Sequence, residues 1–268
     1  MEIRLLVYRY RFVMFAAITL GLAALVYASG VDPLMVPFVL VLLPTVAALM
    51  TAAVAGRGEL GLLGRRITRW RVSPWLYLAA IGIPILGTLL IVVLAVATGT
   101  PMSDAFSDLS AAALIVPLVV LLPALLEEFG WRGFGIPALG RVPLLVSASI
   151  VAIPFTLIHL PLHLPGHLYD GLPMWPTILS LVAYSLVFAW MFSASAGSAL
   201  LVGLMHAAAN GAVSLTWGID TVRVWEMRGV AFAIVGLVVV VLAWRTFMAP
   251  ARDVPVQTDL AMAPSPAA

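Results

Sequence analysis

Apolar residues run along this chain in blocks long enough to cross a bilayer, not in the narrow stripes of a soluble fold. The blocks fall near 12–29, 34–55, 74–98 and 110–139, and again near 143–160, 176–196, 198–217 and 229–248. Each approaches or exceeds the roughly 20 residues that a helix needs to cross ~30 Å of hydrocarbon. The pattern predicts an all-α polytopic transmembrane bundle of about eight spans, a single domain over 1–248. The last stretch, 249–268, is rich in Pro and Ala with no apolar period, and is expected to be a disordered cytoplasmic tail.

Composition narrows the function. The chain has 268 residues, 63% hydrophobic and 10% charged, with a mean hydropathy of +1.13, which excludes a soluble domain. A formal charge of +2, with all 14 bases arginine, is too small an excess for nucleic-acid binding. The absence of Cys excludes disulfides, a thiol nucleophile and cysteine metal sites. Catalysis, if present, must come from a few Glu, Asp and His residues.

Charge also orients the chain. The first block follows Arg4, Arg9 and Arg11 and is longer than a typical signal-peptide core, so it reads as a retained anchor. Arg57, Arg65, Arg66, Arg69 and Arg71 crowd the loop after the second block, whereas Asp104 and Asp108 follow the third. The positive-inside rule then predicts cytoplasmic termini, and Arg141, Arg245 and Arg252 agree. The mixed loop 218–228, with Asp220, Arg223, Glu226 and Arg228, carries no weight. His163 and His167 fall in a Pro-rich loop, 160–176, and are expected at the outer surface.

Three sets of polar groups interrupt the apolar blocks: Glu127, Glu128 and Arg132; His159 in "FTLIH"; and His206 with Asn210 in "HAAAN". Ionisable groups at depth cost several kcal/mol and are functional hypotheses by default. On a helix Glu128 and Arg132 face each other one turn apart and can neutralise one another. Glu127 is turned about 100° away and is left over. A leftover carboxylate in apolar surroundings suits a general base. With a turn at Gly140 to Pro143, Glu127 lies about 20 Å and His159 about 24 Å above it, so the two meet at one level of a helical hairpin. His206 lies about 12 Å from the turn "SAGS", with Asn210 one turn deeper on the same face. Pro123 and Pro154 precede Glu127 and His159 and free backbone carbonyls at that depth.

Each group also has a plain structural reading. Glu128 with Arg132 can be a clamp, Glu127 a snorkelling interfacial residue, His159 the end of a helix, and His206 with Asn210 interhelical glue. Convergence of four polar side chains at one depth favours a site. No HExxH or GxSxG occurs. Ser193, Ser195 and Ser198 suit a turn, and Trp131 and Phe155 suit packing.

"EEFGWRG" at 127–133, "FTLIHLP" at 155–161 and "HAAAN" at 206–210, in that order, resemble the type II CAAX prenyl proteases and bacteriocin-processing proteins of the CPBP or abortive-infection family. The likeness covers roughly 110–217. It implies an all-helical intramembrane peptidase, and bacterial relatives make a bacterial cytoplasmic membrane the expected location. Position by position, Glu127 resembles the catalytic base, with Glu128 and Arg132 as its supporting pair. His159 would be its partner on the water, and His206 with Asn210 the oxyanion site. Peptide or protein substrates are implied, membrane-anchored or lipidated ones included, and the bilayer is the other partner. Family members are described both as metal-independent and as metalloproteases. The metal-free version is preferred here, because zinc held by Glu127, His159 and His206 would consume the oxyanion site. The rival function class is non-catalytic: a membrane scaffold or immunity protein, or a subunit of a proton-coupled transporter, built on the same polar cluster.

Overall fold

In the computed structural model, residues 2–101 and 111–253 are described. Their elements begin with α1 (Glu2–Arg9), α2 (Arg11–Ala28), α3 (Val36–Leu40), α4 (Leu43–Ala55), α5 (Arg57–Ile67) and α6 (Pro74–Ala97). Then come α7 (Ala111–Val119), α8 (Leu121–Gly130), a π-helical turn (Trp131–Gly135), α9 (Ile136–Ala138) and α10 (Leu144–Leu157), which runs on towards a 3-10 turn at Leu160–His163. The chain continues through α11 (Met174–Ala194), α12 (Ala199–Gly211), a 3-10 turn (Ala212–Thr216), α13 (Thr221–Leu242) and α14 (Trp244–Met248).

Among the described residues, 7 helical segments are long and apolar enough to cross a membrane: Arg11–Ala28, Val36–Ala55, Pro74–Ala97, Leu144–His163, Met174–Ala194, Ala199–Thr216 and Thr221–Leu242. Their outer faces carry large apolar side chains in the open, with Leu78 74% and Leu242 82% exposed. A hydrocarbon solvent explains that arrangement, and the chain is an integral membrane protein.

The expected span over 110–139 differs in kind. In its described part the helix is interrupted at Val120 and passes into the π-turn at Trp131, where the Ile136 amide donates to the Trp131 carbonyl five residues back. Such turns widen the helix, and they occur often at functional sites. The last span begins at Thr221 and not at 229, because the Asp220 carboxylate accepts from the Arg223 amide and caps the helix. Asp104 and Asp108 lie outside the described residues. So does 254–268 of the expected tail. Its first residues are held: the Leu144 amide donates to the Ala249 carbonyl at 2.8 Å, the Arg252 amide to Ser193 Oγ at 3.0 Å, and Arg66 pairs with Asp253.

The most enclosed helices are α11 and α12, each with 67% of its membrane window buried in protein, against 17% for α2. Around them α8 packs on α12 and α4, α10 on α11, and α6 on α12 and α13. Short backbone approaches set this packing. A Cβ at Gly130 would fall 2.3 Å from the Pro44 carbonyl carbon, so glycine is what lets α8 lie on α4. A Cβ at Gly203 would fall 2.5 Å from Leu125 Cδ2 and 3.0 Å from its Cα. The second approach lies one turn from both Glu128 and His206 and sets how closely their helices meet. The Thr45 hydroxyl, donating to the Leu126 carbonyl, ties α4 to α8 at the same level.

The turn before α12 accounts for the serines. Ser195 Oγ donates to the Met191 carbonyl at 2.7 Å and accepts from the Ser198 amide, while Ser198 Oγ caps α12 by accepting from the Leu201 amide and donates to the Arg69 carbonyl.

Gly203→Leu is expected to force α8 and α12 apart and to lower stability by about 1–3 kcal/mol, the usual cost of overpacking. Thermal unfolding in detergent micelles measures it. A variant as stable as the parent would show that the approach at Leu125 does not constrain the bundle.

Candidate active site

Glu127 and Glu128 stand in the last turn of α8, just before the π-turn, and point to different neighbours. Glu128 is fully buried and receives three hydrogen bonds: Arg132 Nη1 donates to Oε1 at 2.9 Å and to Oε2 at 3.0 Å, and His206 Nδ1 donates to Oε1 at 2.9 Å. Arg132, also at 0% exposure, lies with its guanidinium 4.8 Å from the Phe155 ring centre and 5.1 Å from that of Phe188. Ring faces take up a cation that has only one carboxylate partner. Glu128 is therefore satisfied and held by its neighbours.

Glu127 has no such cage. Its side chain lines a partly open cavity of about 250 Å³ together with His159, His206 and Asn210. His159 Nε2 stands 4.0 Å from its Oε1, and His206 Nδ1 stands 3.8 Å from its Oε2. All four side chains expected to form the site thus border one cavity, with Glu127 between the two imidazoles. The supporting pair, Glu128 and Arg132, sits behind it.

The hydrogen bonds fix which nitrogen of each ring is available. His159 Nδ1 lies 2.7 Å from the Phe155 carbonyl, which can only accept, so Nδ1 carries a proton and Nε2 of the neutral ring presents its lone pair to Glu127. This contact arises locally. α10 ends at Leu157, and a helix end leaves carbonyls unpaired. His159, just past that end, folds back and satisfies one of them, as its reading as the end of a helix implies. His206 Nδ1 likewise donates to Glu128, which leaves Nε2 without a proton in the neutral ring. Asn210 lies one turn further along α12 and makes no hydrogen bond to a described residue, so its amide is free to serve the cavity.

Two other groups differ from expectation. His163 is half-buried: its ring joins the Leu172 carbonyl at 3.0 Å and Thr177 Oγ1 at 2.8 Å, and Trp225 Nε1 donates to the same hydroxyl at 3.2 Å. It braces Thr177 and Trp225, both of which line the cavity, because the 3-10 turn after His159 curls the loop back over the helix ends. His167 is also half-buried, against the Pro165 carbonyl at 3.2 Å and the Tyr27 ring. Arg228, given no role from the sequence, also lines the cavity. The signal that locates it was the Asp220 cap, which starts α13 early enough to carry Arg228 into the bundle.

Glu127, Glu128 and His206 each offer a ligand atom within 4.8 Å of the others, but both oxygens of Glu128 already accept from a guanidinium, and a cation there would have to displace it. In the expected set of Glu127, His159 and His206, the nitrogens left over are Nε2 of each ring. Among the described residues the donor atoms of that set do not all come within 4.8 Å of one another, so a metal held by it would need the side chains to draw together.

An all-helical integral membrane protein with a carboxylate and two imidazoles around one cavity is the class that fold and site define. Residues 109–212 match the family model described as Type II CAAX prenyl endopeptidase Rce1-like, a protease family, and all three polar motifs lie inside the matched stretch. The resemblance read from those motifs therefore holds over that part of the chain. No curated protein matches the chain significantly.

Arg132→Met should cost about 3–5 kcal/mol, since it leaves a buried carboxylate without its cation. Glu128→Gln combined with Arg132→Met should cost less than Arg132→Met alone. Thermal unfolding of the three proteins in detergent checks the order, and a double variant less stable than the single would contradict it.

Proposed function

We propose that the chain is an intramembrane endopeptidase of the type II CAAX prenyl protease kind, in which Glu127 and His159 activate a water to hydrolyse a peptide bond. The observation that carries the reading is the 4.0 Å separation between Glu127 Oε1 and His159 Nε2 at the cavity wall. A water about 2.8 Å from both would subtend an angle of roughly 90°, near its own bond angle. It would give one proton to each acceptor, leaving its lone pairs to face the cavity.

The nucleophile is then formed in place. Glu127 takes the proton as the water attacks a peptide carbonyl, and later delivers it to the leaving amine. The oxygen of the tetrahedral intermediate develops negative charge and is met by the Asn210 amide. His206 assists through Nε2 only as the imidazolium, because its Nδ1 proton is committed to Glu128. In that form two carboxylates face two cations, and the cluster carries no net charge. Glu128 and Arg132 orient His206 and do not touch the reacting atoms. A bound zinc would be held by Glu127, His159 and His206 and would supply Lewis-acid polarisation of the water or carbonyl. Substrates of the class would enter from the bilayer or a membrane surface: prenylated proteins, bacteriocin-type peptides or surface-protein precursors. With both termini cytoplasmic, Glu127 would lie about 20 Å and His159 about 24 Å from the cytoplasmic turn at Gly140–Pro143.

Glu127→Gln, which keeps size but cannot take the proton, should lower peptide cleavage by purified protein about 100- to 10,000-fold. Asn210→Ala should lose about 100-fold or more, as expected for one oxyanion donor. Retained cleavage in Glu127→Gln would remove this reading and leave a scaffold or proton-path role for the cluster.

Metal analysis of pure protein, with activity assayed after chelation, separates the two mechanisms. Metal-free protein that cleaves peptide at the full rate supports the Glu/His water. Activity that disappears on chelation and returns with zinc supports the ligand reading.

A further inference from the structure

Arg228 is a charged group on the cavity wall that the hydrolytic scheme does not use. It lies about two turns into α13 from Thr221, about 10 Å along the helix. Its Nε makes one long contact, 3.4 Å to the Tyr184 hydroxyl, and its guanidinium carbon is 5.5 Å from the Tyr184 ring centre and 5.1 Å from that of Trp225. It forms no ion pair with a described carboxylate, whereas Arg132, the other arginine at this depth, is neutralised by Glu128.

A guanidinium turned into an apolar-walled cavity without a counter-ion is costly unless something anionic enters. Its planar fork matches a carboxylate, and the aromatic groups around it hold the fork in place. Among the described residues, Glu127 is the only acidic side chain lining the cavity, and the mechanism requires it for the water. Burial pushes the Tyr169 phenol up from its ordinary value, so this neighbour on the cavity wall is a neutral hydroxyl and no competing anion. Trp225 is braced through Thr177 by His163, which makes this wall of the cavity a built surface and not a loose side chain.

We infer that Arg228, framed by Tyr184 and Trp225, is a substrate subsite that binds a carboxylate of the peptide, either its C-terminal group or an Asp or Glu side chain. The inference rests on the peptidase reading for its occupant. In that reading the anchored carboxylate fixes where the peptide stops in the cavity and which bond lies beside the Glu127–His159 water. Arg228 is thus a specificity-determining residue, with no part in the proton transfers.

The test uses a randomised hexapeptide library prepared as free acids and as C-terminal amides, each with and without Asp and Glu in the random positions. Purified full-length protein in detergent is assayed for cleavage of the four pools by mass spectrometry. The same pools are assayed for equilibrium retention on immobilised Glu127→Gln protein, which reads binding without chemistry. A hydrogen-bonded charge of this kind should give about tenfold to hundredfold preference for carboxylate-bearing pools, and Arg228→Gln should bring that preference close to 1. Free acid over amide assigns the C-terminal group, and acidic over non-acidic amide assigns the side chain.

Should Arg228→Gln fail to fold, the parent protein still decides: no preference among the four pools overturns the subsite. Preference unchanged in Arg228→Gln also overturns it. So does phospholipid that copurifies with the parent and is lost from Arg228→Gln without any change in peptide preference, since a lipid phosphate would then be the occupant. The two readings fail separately. Cleavage without carboxylate preference leaves the peptidase and removes the subsite, whereas Arg228-dependent retention on a protein that cleaves nothing leaves the subsite and removes the peptidase.

Discussion

The fully buried carboxylate of Glu128, gripped by Arg132 and by His206, is the contact on which the arrangement depends. A lone carboxylate at this depth would be too costly to keep charged. The guanidinium supplies the opposite charge one helical turn away, and the flanking phenylalanine rings take the rest of that cation. Because the carboxylate is satisfied from the same helix, it can also reach across to α12 and fix His206. One buried ion pair thereby joins two helices and orients an imidazole. Buried pairs are weak evidence for added stability, and this one is better understood as a device for holding geometry.

The consequence is a division of labour between adjacent, chemically identical side chains. Helical geometry turns Glu127 away from Arg132 and towards the cavity, where its neighbours are ring nitrogens and not a guanidinium. Two glutamates in sequence thus acquire different surroundings, one gripped by a guanidinium and one facing a cavity, through orientation alone. The close backbone approaches at Gly130 and Gly203 matter for the same reason. They bring α4, α8 and α12 within reach of one another, so that side chains of ordinary length meet across three helices.

The cavity also follows from the way the helices end. α8 widens into a π-turn just after the glutamates, and α10 stops at Leu157, where His159 satisfies a freed carbonyl and acquires a defined tautomer. The 3-10 turn that follows carries His163 back to brace Thr177 and Trp225. Irregular backbone at membrane depth is tolerated where protein or a wet cavity satisfies it, and here the irregular segments surround the polar groups.

Much of this was legible in the amino-acid order. The apolar blocks gave seven of the spans because helix length in a bilayer is set by thickness, a property of local sequence. The four-residue spacing of Glu128 and Arg132 gave their pairing, and turn-to-residue distances brought Glu127 and His159 to one level, because both follow from helical rise and rotation. What the order of residues could not supply was contact between segments far apart in the chain. That His206 pairs with Glu128 as well as facing Glu127, that His163 points inward, and that Arg228 enters the cavity all depend on which faces of packed helices oppose each other. Helical periodicity defines a face within one helix, but only tertiary packing decides what that face meets.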